Sequence, residues 1–200
     1  MPTTTPDRPR ESPARRRVLD TASALFYAEG VHAVGVDRII AEAAVAKATF
    51  YHHFPAKDTL VHAYLTEQFE AQRRAVDDFL ADSADLPPRE VLVRLFDLIV
   101  EIGRQPGFRG CAFVNAAAEF PDLAHPVRGA IQDHRTWFRT MLTDLLTAAG
   151  DARPRATADI LMLVRDGLAV GCHLDDADAM RRIARDALDR VLGAPDDPTR

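Results

Sequence analysis

Apolar residues in this 200-residue chain return at three- and four-residue intervals, the period of a helix that buries one face. No stretch keeps the two-residue alternation of a strand. Ser12 followed by Pro13 reads as a cap and first turn, Val18, Ala22, Leu25 and Phe26 follow at helical spacing, and Gly30 ends the run. A short helix fits Val36–Ala43, with Val36, Ile39 and Ile40 inward. Another fits Lys47–His53, closed by Pro55 two residues on. Leu60, Tyr64, Phe69, Val76 and Phe79 or Leu80 then mark a long helix from Lys57 to Ala81, roughly 37 Å at the usual rise. Pro87-Pro88 opens Arg89–Ile102, whose VLVRLFDLIV segment is apolar on most sides and so buried. After Gly103, Pro106 and Gly107, a short apolar helix covers Cys111–Phe120. Pro126 starts a stripe of Val127, Ile131, His134, Phe138, Met141, Leu145 and Ala149 that stops at Gly150. Pro154 begins an eighth helix with Ile160, Leu161, Val164 and Leu168. The ninth is capped near Asp175 or Asp176 and carries Met180, Ile183, Ala187, Leu188 and Val191. The expected fold is all-α, with about nine helices.

Composition narrows the class. With 47% hydrophobic residues the chain can bury a sizeable core. The two cysteines, Cys111 and Cys172, are too few for a disulfide framework. No apolar run approaches the ~20 residues of a membrane span, and the start has no hydrophobic signal segment. A soluble, cytoplasmic protein without membrane contact is expected. The net charge of −5 is unevenly placed: residues 1–62 hold eight Lys/Arg against seven Asp/Glu, leaving −6 for the rest. Arg15, Arg16 and Arg17 concentrate positive charge near the start, and it is the local field that a polyanion meets. Residues 1–11, rich in Pro, Thr and Arg, read as a disordered arm, and 194–200 as a flexible tail.

The segment VDRIIAEAAVAKATFYHHF has the makings of a helix-turn-helix. Ile39, Ile40 and Ala43 face inward, Ala44-Val45-Ala46 makes the turn with Val45 as its apolar plug, and Lys47–His53 is the second helix. Small residues at Ala46 and Ala48 allow a close approach to base edges, and Lys47, Thr49 and His52 offer donors and a methyl group. Periodicity alone leaves this pair open between two packed helices of a bundle, a protein-binding adaptor and a DNA-reading head.

The wording of the segment goes further. GVHAVGVDRIIAEAAVAKATFYHHFPAKDTL, from Gly30 to Leu60, resembles the TetR family of transcriptional repressors, most specifically in Lys47–Phe54 followed by Lys57, Asp58 and Leu60. The resemblance is strong over residues 12–65 and implies a DNA-binding domain there, with a ligand-binding and dimerisation domain over 66–193. It implies that Tyr51 and Lys57 contact phosphates and that Lys47, Ala48, Thr49 and His52 face the major groove of a palindromic operator. Arg15 and Arg16 read either as solvated charges or, with Arg8 and Arg10, as part of an arm reaching backbone or minor groove. Two departures stand out: Val34-Gly35 replaces the family's usual Thr-Ser, removing a capping hydroxyl, and Ala44 and Ala46 replace Gly and Ser. Ala44 costs roughly 1 kcal/mol if its φ is positive.

Other chemistry finds little support. Adjacent helical residues point ~100° apart, so His52-His53 do not chelate one ion, and Cys172-His173 with Asp175 and Asp176 reads as the end of an apolar helix. Cys111, at a helix start, is either a core residue or a reactive thiol. A helical enzyme using Asn115, Asp133 and His134 stays open as an alternative, although there is no nucleophile elbow, phosphate loop or paired metal motif. No cofactor and no metal are expected. For an unknown small-molecule effector, Phe69, Phe96, Phe108, Phe113, Trp137 and Phe138 supply aromatic surface, and Asn115, His134 and Arg165 supply orienting polar groups. The resemblance also implies a homodimer through the last two helices, with Ile160, Leu161, Leu168, Ile183, Leu188 and Val191 as its interface.

Overall fold

The computed structural model describes residues 12–193; the expected arm, with Arg8 and Arg10, and the expected tail lie outside the described residues. These form α1 (Pro13–Glu29), α2 (Val36–Glu42), α3 (Lys47–His53), α4 (Lys57–Asp82), α5 (Pro88–Gly103), α6 (Ala112–Glu119), α7 (Pro126–Ala148), α8 (Pro154–Leu174) and α9 (Ala177–Leu192), with no strand among them. No helix among the described residues is long and apolar enough to cross a membrane. The chain divides into two units, residues 1–64 and 65–200, and α4 runs from the first into the second.

The first unit is held by the inward residues of four helices. Val18, Ala22 and Phe26 of α1, Ile39 of α2, Phe50 of α3 and Leu60, Val61 and Tyr64 of α4 are all buried. Phe26 meets the Tyr64 ring edge-on at 5.8 Å, and Phe50 lies 6.1 Å from Phe54. Gly30 ends α1 with φ of 94° while its N–H bonds the Phe26 carbonyl. Ser12 departs from expectation. Its side chain makes no cap bond; its Oγ instead lies 3.2 Å from His53 Nε2, tying the start of α1 to the end of α3. Val36 and Ile40 are half-buried, so Ile39 anchors α2.

Ala44 has φ of 50° and is the one non-glycine residue with positive φ among the described residues. A Cβ in the left-handed region costs about 1–2 kcal/mol, and glycine recovers most of that against its larger unfolded-state entropy. Ala44→Gly is therefore expected to raise stability by about 0.5–1 kcal/mol, read as a higher midpoint in urea unfolding. A lower midpoint would refute the strain assigned to this turn.

In the second unit α5, α7, α8 and α9 enclose one core in which Leu92, Leu95, Phe96, Phe138, Leu142, Leu146, Leu161 and Leu188 are buried. Pro87-Pro88, Pro126 and Pro154 start their helices as the sequence indicates. Asp176 rather than Asp175 caps α9, accepting from the Ala179 N–H at 2.9 Å. Gly103 lets α5 approach α8 closely, since a Cβ there would stand 2.6 Å from Cys172 Cβ. Ion pairs join α5 to α9 at the surface, with Arg181 on Glu101 and Arg185 Nη2 2.6 Å from Asp97 Oδ2.

Packing also revises the expected dimer residues. Leu161, Leu168 and Leu188 are 0–5% exposed inside the protomer's own core and so are not available to a partner. Val191 is half-buried against the same core. Ile160 and Ile183 do reach the surface, but the larger exposed apolar residues of α8 are Leu163 and Leu174, each 71% exposed.

Candidate nucleic-acid interface

Two short helices with a four-residue turn, residues 43–46, need a common apolar floor, and here it is Ile39, Ala43, Phe50 and Phe54, all buried. With Phe50 fixed inward, the 3.6-residue period turns positions 47, 48, 51 and 52 outward on one face of α3. Lys47, Ala48, Tyr51 and His52 are indeed exposed together, while Thr49 is half-buried at the edge of that face. The Tyr51 ring stands edge-on to Phe50 at 5.2 Å, which steadies the phenol without covering it. Neither α2 nor α3 has a side-chain cap, because Gly35 and Ala46 occupy the cap positions in extended backbone. Their first N–H groups therefore have no side-chain acceptor from the cap position.

The charged residues around this face are braced. Lys47 Nζ lies 3.1 Å from Asp37 Oδ1, an exposed pair that raises the lysine pKa and bridges α2 to α3. Arg38 forks onto Glu29 at 2.6 and 2.8 Å and reaches Glu42 at 2.7 Å. Lys57, half-buried at the start of α4, places its ammonium 5.9 Å from the centre of the Phe26 ring. The arginine cluster is part of α1 and not an arm: Arg15 lies over Phe54 at 5.2 Å and Arg16 pairs with Asp20 at 2.5 Å. Arg17 stands out in the sequence only as one charge of that cluster, yet its Nε donates to the Ala43 carbonyl at 3.3 Å and so anchors α1 to the turn. No motif marks that contact, which depends on how α1 and α2 pack.

This geometry is a reading head on a three-helix base, and its match elsewhere is direct. A profile described as "Bacterial regulatory proteins, tetR family" covers residues 18–64, and one described as "Tetracyclin repressor-like, C-terminal domain" covers residues 88–188. The chain belongs to the TetR family. A TetR-family transcriptional regulator from Streptomyces coelicolor is similar in structure, with a TM-score of 0.81 and 43% identity over 90% of this chain and 94% of that one. The transcriptional repressor DhaR of Mycobacterium sp. (strain GP1) is 30% identical over 58% of this chain, a match spanning 57% of DhaR's own length. The regulator LmrA of Bacillus subtilis is 25% identical over 72% of this chain and 76% of its own. This TetR-family chain is a DNA-binding transcriptional regulator, a non-enzymatic class.

In the second unit the residues expected around an effector are distributed differently from the sequence reading. His134 is their centre: it is fully buried, stacked on Phe113 at 3.7 Å and 4°, with Phe69 and Trp137 5.8 and 5.9 Å away. Its Nε2 lies 2.7 Å from Gln72 Oε1, an acceptor, so the proton sits on Nε2 and Nδ1 is left as a buried acceptor without a partner. Burial, helped by Arg165 and Arg135, lowers its pKa to about 3 and keeps the ring neutral. Phe96 and Phe138 are core, Phe108 packs partly buried against that core, and Trp137 borders a separate depression of about 380 Å³. Asn115 is exposed and donates to the Arg109 carbonyl at 2.8 Å.

The larger opening, about 620 Å³, lies between α6, α7 and α8. Its apolar wall is Phe113, Val114, Ala117, Ile131 and Val170. Its polar groups are Arg128, Gln132, Arg135 and Asp166. Of the nine expected pocket residues only Phe113 lines it. The α7 polar positions were overlooked because residues 128, 132 and 135 read as a solvated helix face.

Proposed function

We propose that this TetR-family regulator is a homodimeric repressor that reads a palindromic operator with α3 and is released by a small-molecule effector, acting in the cytoplasm. The exposed face of α3 carries the reading. Lys47, Ala48, Thr49 and His52 meet base edges in the major groove, while Tyr51 and Lys57 hold flanking phosphates. Arg15 and Arg16 add positive charge beside them as part of α1.

A dimer is supported by α8. Ile160, Leu163, Gly167, Val170 and Leu174 follow a 3-4-3-4 spacing, and all five are exposed. That spacing makes one seam along the helix, suited to a second helix lying alongside it. Ile183 of α9 is the other large exposed apolar residue of this pair of helices. Two-fold symmetry then sets two α3 helices about 34–36 Å apart.

Release follows from α4, which continues unbroken from Lys57 to Asp82, about 39 Å. In the second unit Gln72 of α4 is bonded to His134, and His134 is stacked on Phe113, which lines the 620 Å³ cleft. An effector seated on Phe113 thereby bears on α4 through two contacts. It weakens operator binding by its differential affinity for the two placements of that helix.

Selection of bound fragments from random DNA tests the operator part: an inverted repeat with half-sites one helical turn apart is expected, and a single asymmetric site would refute the dimeric reading. On the selected site, Tyr51→Ala with Lys57→Ala is expected to weaken binding about ten- to a hundredfold with unchanged helicity by circular dichroism. Unchanged affinity would remove α3 and the start of α4 from the interface.

A further inference from the structure

The charges around the 620 Å³ cleft do not balance. Asp166 on α8 is one carboxylate serving two guanidinium groups: Arg135 Nη1 reaches Oδ2 at 2.7 Å and Arg165 Nη1 reaches Oδ1 at 2.8 Å. Arg165 is 94% buried by side chain, and its other contacts are the Cys111 sulfur at 3.3 Å and the face of Phe138. A thiol and an aromatic ring carry no formal charge to offset a cation. Arg128, on the same wall of α7, gives Nη1 to the carbonyls of Ala117 and Phe120, which are neutral as well. Two guanidinium groups thus share one carboxylate, and a third, on Arg128, stands on the cleft wall with neutral carbonyls as its acceptors.

A cluster of this kind at the edge of an apolar cavity favours an anion over any other ligand charge. In a partly desolvated site a cation would add like-charge repulsion, and a neutral group would leave the excess uncompensated. The guanidinium forks suit a planar carboxylate, which accepts two parallel bonds, and Arg135 has N–H groups beyond the one given to Asp166. Facing them across the cleft are Phe113, Ala117, Ile131 and Val170, with room for a body of drug-like size.

We propose that the effector is an organic anion with an apolar body: its carboxylate is held by Arg135 and Arg128, and the rest lies on Phe113 and Ile131. This rests on the reading of the cleft as the effector site. Val170 and Gly167 also belong to the exposed seam of α8, so the cleft opens beside the proposed dimer contact.

The test uses the full-length protein and titration calorimetry with benzoate, cinnamate and octanoate, each beside its methyl ester and the corresponding amine. At least one acid is expected to bind about tenfold or more tightly than its ester and amine. That preference is expected to fall below about threefold in Arg135→Gln, a variant whose folding is checked by its melting curve because Asp166 keeps Arg165. Gln132→Trp, which fills the cleft from an exposed position, is expected to abolish binding of all the compounds. Should esters or amines bind as well as the acids, and Gln132→Trp still block them, the anion assignment falls while the cleft stands. Should no compound bind, or Gln132→Trp leave binding intact, the cleft itself is not the effector site and both readings fall. Binding of the acids that survives unchanged in Arg135→Gln overturns the assigned contact.

Discussion

The double variant Leu163→Arg, Leu174→Arg is expected to sediment as a monomer and to bind its operator about a hundredfold or more weakly than the parent chain. Both side chains project from α8 with 71% of their surface open, on the seam that runs from Ile160 to Leu174. Nothing in the protomer's own core leans on them, so the exchange leaves the fold intact while placing two cations where a symmetric partner presents the same two residues. A palindromic operator is bound tightly because the second half-site is engaged at a high effective concentration, and a monomer forfeits that gain. Sedimentation velocity and gel-shift titration on the same samples give both readouts. A variant that remains dimeric would place the interface elsewhere. The comparison with Leu161→Arg is informative, because that residue is fully buried and its replacement is expected to unfold the second unit instead.

Phe50→Ala is expected to cost about 3–5 kcal/mol, enough to melt the reading head. The seven residues of α3 are too few to hold a helix on their own, and Phe50 is the one of them that is fully buried. Around it stand Phe54, the Tyr51 ring edge and the inward residues of α1 and α2, which lose their common floor together. The variant should lose operator binding entirely yet keep the dimer, since the seam of α8 belongs to the other unit. Thermal unfolding followed by circular dichroism is then expected to show an early transition that the parent lacks. A variant with full operator affinity and a single late transition would mean that α3 does not depend on this ring. Tyr51→Ala, by contrast, removes an exposed side chain and should spare the fold.

How much was legible before packing is clearest on α3 and α8. On α3 one inward residue fixes the rest: once Phe50 is known to be buried, the helical period leaves Lys47, Ala48, Tyr51 and His52 outside. On α8 the run Ile160-Leu161-Met162-Leu163-Val164 is apolar on every side, so period says nothing about which residue a neighbour covers. Leu161 and Leu163 are chemically alike, and only the positions of α5, α7 and α9 bury one and expose the other. The cleft was hidden for a related reason. Arg128, Gln132 and Arg135 look like a wet helix face, and they become a binding wall only because α6 and α8 rise on either side.

Most helical ends were therefore set by the sequence alone, because prolines and glycines act on their own backbone: Pro13, Pro88, Pro126 and Pro154 start helices and Gly30 ends one, while the choice of Asp176 over Asp175 as the cap of α9 came with the structure. So was the reading head, whose words from Lys47 to Leu60 carry both the fold of a short segment and its outward face. Tertiary structure decided what needs a neighbour. It turned Ser12 from a cap into a tie to His53, laid Arg15 over Phe54, left Nδ1 of His134 without a partner, and set two guanidinium groups on Asp166. A local pattern records which residues share a helix face. Only the packing of distant segments decides whether that face meets core, solvent or a ligand.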